Sequence, residues 1–385
     1  MRRIYFRERE DMPLSQAEAK SKRRPLWKMA LKAVVDGGPG TCHFAVTSIC
    51  NARCDFCNFA IDRMPASARH SVPLADAKRA IEILARNDVQ FLIFTGGEPL
   101  VHRDFVCMVA HASGLRMSPT LVTNGSLLTA ARIDALADAG LASVYFSIDA
   151  ANAEVHERNR GLPGVCDRIR KANAHFKRRG IGTAASVTMS RLVNYPGLPP
   201  FLTSLGFDSL TFSYPLSDLA SPYLSYSDSK LVAYTSDELF DAFEAVKALK
   251  KSFQVLNPTA SIEDMQRHLR GEPEKFVCIA GWKFFYLDWH LDLYRCHNWE
   301  RPLCHVFDFD GSQRVRDGCT ACMIDCYRDN SVMQHIGMAV SDGVNAAARG
   351  RFGEAGRHWF NRANFASLKA VLEDAPAWRR QIGRS

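Results

Sequence analysis

From residue 42 to about 215, short runs that suit strands alternate with longer runs that suit helices. The strand-like runs are 43–47, 91–95, 120–123, 143–148, 184–189 and 209–214, rich in Val, Phe, Thr and Ile. Between them lie 74–86, 105–113, 130–139, 165–179 and 198–205; in the first, Ala77, Ala80, Ile81 and Leu84 form one apolar stripe at helical spacing. Strands alternating with helices imply a parallel sheet with right-handed crossovers. Six such units are too few to close an eight-stranded barrel. The expected fold is therefore α/β, a partial (β/α)6 TIM-like barrel. Ligands of such sheets bind at the carboxyl ends of the strands, so the residues that follow each strand carry the function.

Those residues are polar and distinctive. After the first strand comes Cys50-Asn-Ala-Arg-Cys54-Asp-Phe-Cys57, with spacing C-x3-C-x2-C. The second strand runs into Thr95-Gly96-Gly97-Glu98-Pro99, the third ends in Thr123-Asn124-Gly125, and the fourth in Ser147-Ile148-Asp149. His156 to Gly161 follow as an H-x4-G turn. Three thiolates can hold three irons of a [4Fe–4S] cube, which normally takes four, so one iron is left open. A structural zinc site would want a fourth donor, for which His43 is available. Singly, each piece has an ordinary reading: Gly-Gly-Glu-Pro as a turn, a strand-terminal Asp as a helix cap. Four polar motifs on successive strand ends are improbable by chance.

Cysteine usage supports metal. No stretch reaches the ~18 apolar residues of a membrane span, and the opening MRRIYFRERE has no apolar signal-peptide core. A cytoplasmic chain keeps its thiols reduced, where clustered cysteines mean metal more often than disulfides. This chain has 12. The net charge of +8, from 49 basic and 41 acidic residues, is diffuse and does not call for nucleic acid. Cys107 and Cys166 stand alone in helical runs and read as small buried residues. Six more lie in a late block: Cys278, Cys296, Cys304, Cys319, Cys322 and Cys326. Alternation around 284–287 and 291–294 predicts a hairpin turning near 288–290, which brings Cys278 and Cys296 together. With two of Cys319, Cys322 and Cys326 they make a four-thiolate site. Cys304 is a bystander. Zinc ribbons share this logic, so zinc is a rival here too.

The first cysteine motif, with Phe56 in its aromatic position, resembles the signature of the radical SAM superfamily. Thr95 to Pro99 looks like that superfamily's GGEP motif, and Ser147-Ile148-Asp149 like its S-x-D position. The likeness covers about residues 42–215. It implies a [4Fe–4S] cluster on Cys50, Cys54 and Cys57 whose open iron binds S-adenosylmethionine. It also implies reductive cleavage to a 5′-deoxyadenosyl radical that abstracts hydrogen from a substrate. Cofactor contacts are then expected from Phe56, Gly96, Gly97, Glu98, Pro99, Asn124, Ser147, Asp149 and Arg160, with Glu98 on the methionine ammonium group. Thr188 and Asn194 stand where they can face the cofactor too. The late block resembles SPASM and twitch extensions, which carry auxiliary [4Fe–4S] clusters. It departs from them in having Leu291 where a glycine is usual, and six cysteines instead of seven. One auxiliary cluster is expected, on Cys278, Cys296 and two of Cys319, Cys322 and Cys326.

The resulting layout is an extension at 1–38 with a basic amphipathic helix at 23–35, a catalytic core at 39–225 and a helical connector at 226–275. An auxiliary-cluster domain at 276–330 and helices at 331–385 complete it. The rival function is a zinc-stabilised binding protein without catalysis. Expected partners are an electron donor such as flavodoxin or ferredoxin and a small-molecule alcohol or sugar, or a lipid or isoprenoid, as substrate. A ribosomal peptide is less favoured, since no peptide-recognition wing precedes Thr41. The 23–35 helix and the apolar stretch at 333–340 fit a lipid substrate and a peripheral membrane contact, in an otherwise cytoplasmic protein.

Overall fold

The computed structural model describes residues 36–214 and 229–382, with side chains up to residue 373. The 23–35 amphipathic segment lies outside the described residues. The strands are β1 (Gly40–Thr47), β2 (Val89–Gly96), β3 (Ser118–Thr123), β4 (Ser143–Ile148), β5 (Gly182–Thr188), β6 (Ser209–Ser213) and β7 (Gln254–Val255), then β8 (Phe284–Leu287), β9 (Asp292–Tyr294) and β10 (Cys304–His305). They form one sheet in the order β10-β9-β8-β1-β2-β3-β4-β5-β6-β7. Strands β1 to β7 are parallel neighbours. The covering helices are α1 (Leu74–Arg86), α2 (Phe105–Gly114), α3 (Ala130–Asp138), α4 (Ala153–Arg160), α5 (Val165–Arg178) and α6 (Leu198–Ser204). This is the partial TIM-like barrel expected.

Pattern explains placement. In β1, Cys42, Phe44 and Val46 are fully buried, while His43 between them is half-buried on the opposite face. The α1 stripe of Ala77, Ala80, Ile81 and Leu84 is buried as its spacing predicts. In α2 the buried positions are Phe105, Met108, Val109 and Ala112, which turns Cys107 outward; it is exposed, not buried as expected. The H-x4-G segment is not a turn: it is the helix α4, capped by Asn152 and ended by Gly161 in the left-handed conformation (φ 63°).

The chain continues through α7 (Ser236–Leu249) and α8 (Thr259–Leu269) into the cysteine-rich region, and ends in α9 (Asp325–Ala348), α10 (Phe352–Trp359) and α11 (Arg362–Ile382). The predicted hairpin is β8–β9, and β8 pairs parallel with β1, from Thr41 opposite Phe284 to Phe44 opposite Leu287. The cysteine-rich region is thus joined to the barrel by continuation of its sheet. The apolar stretch at 333–340 lies in α9, where Met338 is buried beside Cys296, Ile324 and Tyr327, and Met333 packs on Val332, Ala363 and Ala370. Met338 and Ala339 are the buried members of this stretch, and its other residues are half-buried. Among the described residues no helix is long and apolar enough to cross a membrane.

Candidate functional site

The loop after β1 carries Cys50, Cys54 and Cys57, and β2 ends against it. Gly97 N donates to the Thr47 carbonyl and Glu98 N to the Ile49 carbonyl, both at 2.9 Å. A Cβ at Gly96 (φ 120°) would stand 2.3 Å from the Thr47 carbonyl oxygen. These glycines admit the cysteine loop against the end of β2. Phe56 is buried in a small cluster with Ala52, Cys54 and Val232. Pro99, also buried, opens a short turn that Glu98 caps.

Glu98 is buried and joins β2 to β3. Its Oε1 accepts from Thr123 Oγ1 at 2.8 Å and from Leu100 N at 3.1 Å, and its Oε2 from Asn124 N at 2.7 Å. Burial pushes its pKa above the usual carboxylate range, with those donors opposing. A carboxylate has about four acceptor positions, so one on Oε2 is left for a further donor. Asn124 Nδ2 donates to Asn51 Oδ1 at 2.9 Å, and Asn51 Nδ2 to Ser126 Oγ at 2.8 Å. Asn51, inside the cysteine motif, was not singled out by the sequence; only its place between the first two cysteines marks it.

Asp149, at the end of β4, is fully buried. Arg160 Nη2 donates to its Oδ1 at 2.5 Å and Asn159 Nδ2 to its Oδ2 at 2.8 Å. Its backbone N–H donates to His156 Nδ1 at 3.1 Å. Burial works against the Asp149 charge, but Arg160, His156 and Asn159 together outweigh it and hold the carboxyl below its usual range. Arg160 Nε is buried and finds no acceptor among the described residues. Ser147 is half-buried on β4, opposite Ser186. Thr188 is half-buried at the end of β5. Asn194 spends its side chain capping the turn at Gly197.

The three thiols suit a cluster. Burial pushes Cys50 up to about 12 and raises Cys54 and Cys57, with Arg160 pulling the other way on all three. Ala52 N donates to Cys50 Sγ at 3.4 Å, and the Phe59 amide to Cys57. Such amides stabilise thiolate and tune a cluster's potential. Among the described residues no three His, Cys, Asp or Glu side chains converge on a single ion; in a cube each cysteine holds a different iron. His43 is not brought to this loop. Its ring lies 5.0 Å from Phe284 and 5.7 Å from His297.

The second thiol group repeats the device. Ala280 N donates to Cys278 Sγ at 3.4 Å, and the amides of Asn298 and Ile324 donate to Cys296 and Cys322, each from two residues further along. Cys278, Cys296, Cys322 and Cys326 pack on one core of Ile279, Phe284, Ile324, Tyr327 and Met338. Cys319 stands beside them, its carbonyl accepting from Cys278 N at 2.9 Å. Arg295, buried, pairs with Asp317 at 2.6 and 2.5 Å, tying the hairpin to the loop before Cys319. The hairpin turn is held by Asp288 Oδ1, which accepts from His290 N at 2.8 Å and Asp292 N at 2.9 Å. Cys304 sits on β10 opposite Leu293, with Asp292, Asp308 and Asp310, not cysteines, as its charged neighbours.

The sequence model of the radical SAM superfamily matches residues 44–200. The AdoMet-dependent heme synthase of Oleidesulfovibrio alaskensis is 28% identical over 162 residues, 42% of this chain and 41% of that protein. The PqqA peptide cyclase of Rhodopseudomonas palustris is 34% identical over 119 residues, 31% of each chain. The matched segments therefore span well under half of the curated relatives. Among solved structures, Streptococcus suis SuiB bound to precursor peptide SuiA aligns with TM-score 0.55 and 15% identity, over 85% of this chain and 78% of that one. Native anSMEcpe with bound AdoMet and Cp18Cys peptide aligns with TM-score 0.52 and 14% identity, over 89% and 98%.

Proposed function

We propose that the chain is a radical SAM enzyme, that Cys50, Cys54 and Cys57 hold its [4Fe–4S] cluster and that Glu98 and Arg160 seat S-adenosylmethionine beside it. Cluster and cofactor together supply a 5′-deoxyadenosyl radical able to take a hydrogen atom from a substrate. The observation that carries the reading is the pair of unspent valences next to the thiols: an acceptor position on buried Glu98 and the partnerless Nε of buried Arg160. An amino acid zwitterion needs one group of each sign. Glu98 suits its ammonium and Arg160 its carboxylate, while Asp149 holds the guanidinium in place. Asn51, Asn124 and Ser126 fix the cysteine loop to the third strand.

The second thiol group fits a further cube, with Cys278, Cys296 and Cys322 as ligands and the fourth place taken by Cys319 or Cys326. Saturated by four thiolates, it suits electron transfer and leaves no iron open. This division gives 39–225 the catalytic role and 276–330 the auxiliary one. The likeness to a peptide cyclase and to peptide-bound SuiB supports a peptide as substrate, beside the small molecules and lipids expected from the sequence. A small reducing protein would supply electrons.

Titration calorimetry of S-adenosylmethionine into anaerobically reconstituted protein tests the seat. Arg160→Met and Glu98→Gln should each weaken binding by about 1–3 kcal/mol, the range of a charge-assisted hydrogen bond, with iron content unchanged. Unaltered affinity in both variants would remove these residues from the cofactor site.

A further inference from the structure

Over residues 362–373 the last helix turns small residues inward and large apolar ones outward. On the face of α11 that meets α9, Ser367 Oγ donates to the Val332 carbonyl at 2.6 Å and accepts from Ile336 N at 3.1 Å. Ser367 and Ala370 on that face are 0% and 1% exposed. Away from it, Phe365, Leu368 and Leu372 follow one another at i, i+3 and i+7 and are 75%, 44% and 62% exposed. Phe360, just before the helix, is 85% exposed. A surface helix ordinarily hides its large apolar residues and shows its polar ones. Scattered exposed apolar residues need no explanation, but a stripe of them marks an interaction surface.

Charge indicates what it meets. Arg362 and Lys369, three residues before Phe365 and four after it, flank the stripe and are exposed. Arg349, Arg351 and Arg357 are also exposed on and before α10. Among the described residues, Glu354 pairs with Arg351 at 2.9 Å, and Glu373 with Lys250 at 3.3 Å and with Thr259 N at 3.0 Å. Gly37 and Gly38, just before β1, meet α9 elsewhere. Gly37 lies against Met338 and Gly38 against Gln334, about half a helical turn from the Val332 and Ile336 side that carries α11. Large apolar residues flanked by Arg and Lys are the makings of a helix that lies in the headgroup layer of an anionic bilayer.

We propose that α11, with Phe360, seats the protein on anionic lipid. Phe360, Phe365, Leu368 and Leu372 enter the boundary between headgroups and acyl chains, and Arg362 and Lys369 meet lipid phosphates. The proposal is independent of the catalytic reading, since none of these residues belongs to either thiol group.

The test is co-sedimentation of the full chain with vesicles of phosphatidylcholine plus phosphatidylglycerol, and with vesicles of phosphatidylcholine alone. Binding is expected to the mixed vesicles, weakened by salt. The double variants Phe360→Ser/Phe365→Ser and Arg362→Glu/Lys369→Glu should each lower the partition by about tenfold or more. Their circular dichroism and iron content should match the parent, because the changed side chains face water. Failure of the parent chain to bind the mixed vesicles would overturn the proposal, as would binding that survives both variants. Equal binding to phosphatidylcholine alone would overturn the role of Arg362 and Lys369. A dimer in sedimentation equilibrium that Phe360→Ser/Phe365→Ser dissolves, with no vesicle binding, would assign the face to a second copy instead.

Discussion

A Cβ added to Gly97 would stand 2.2 Å from the Ile49 carbonyl oxygen and 2.8 Å from Cys50 N. The end of β2 and the cysteine loop are therefore one unit, closed by main-chain contacts that only glycine admits. Neither obstructing atom is on a flexible side chain, so relief requires the loop to move. Gly97→Ala should displace Cys50 and empty the first cluster site while sparing the second. Iron analysis after anaerobic reconstitution should fall from about eight to about four atoms per chain. A full complement of iron in this variant would show that the contact does not govern the loop.

The second thiol group is tested by single Cys→Ser changes. Cys278→Ser, Cys296→Ser and Cys322→Ser should each lose the auxiliary cluster, about four irons, and leave the first intact. Cys304→Ser should lose none. Of Cys319→Ser and Cys326→Ser, one should behave like the first set and the other like Cys304→Ser. One zinc per chain in place of the second set of irons would return this site to a structural role.

Asp288 offers a test by pH. Burial raises its carboxyl to about 6, its Oδ1 holds the hairpin turn, and its Oδ2 has no hydrogen-bond partner among the described residues. The unfolded chain releases this proton near pH 4, so between about pH 4 and 6 the folded chain binds the extra proton and its stability falls as pH rises. Above pH 6 the full cost of the buried charge is present. Asp288→Asn keeps the Oδ1 acceptor and removes the charge. It should raise stability at pH 8 by about 1–2 kcal/mol, read from the urea midpoint, and by well under half as much at pH 4.5. An equal gain at both pH values would mean that the effect is not ionisation.

What could be read from the sequence, and what could not, divides along physical lines. The strands and helices of the barrel were legible because their periods follow from burial on one face, as Ala77, Ala80, Ile81 and Leu84 show. The chemistry-bearing segments were legible because sheet geometry puts strand ends together. Partners within the site were not: nothing in Gly-Gly-Glu-Pro says that Glu98 will also bind Thr123 and Asn124, or that the glycines yield to Thr47 and Ile49. Helix α4 was missed because its seven-residue run from Glu154 to Arg160 carries almost no apolar periodicity; its burial comes from His156 and Arg160, polar residues turned to the site. Leu291 is the reverse case. It departs from the glycine usual in SPASM and twitch relatives, yet it takes the left-handed conformation (φ 67°) that glycine favours. Its side chain is buried in the main core, and that burial offsets the roughly 1–2 kcal/mol such a backbone costs.

Cys50, Cys54 and Cys57 should together support reductive cleavage of S-adenosylmethionine. The direct measurement is 5′-deoxyadenosine formed by anaerobically reconstituted protein given S-adenosylmethionine and dithionite. The parent chain should form it, and a chain with all three cysteines changed to Ala should form none while keeping its second cluster. Equal amounts from both proteins, or none from a parent chain whose first cluster is fully loaded and reduced, would deny the three cysteines that role.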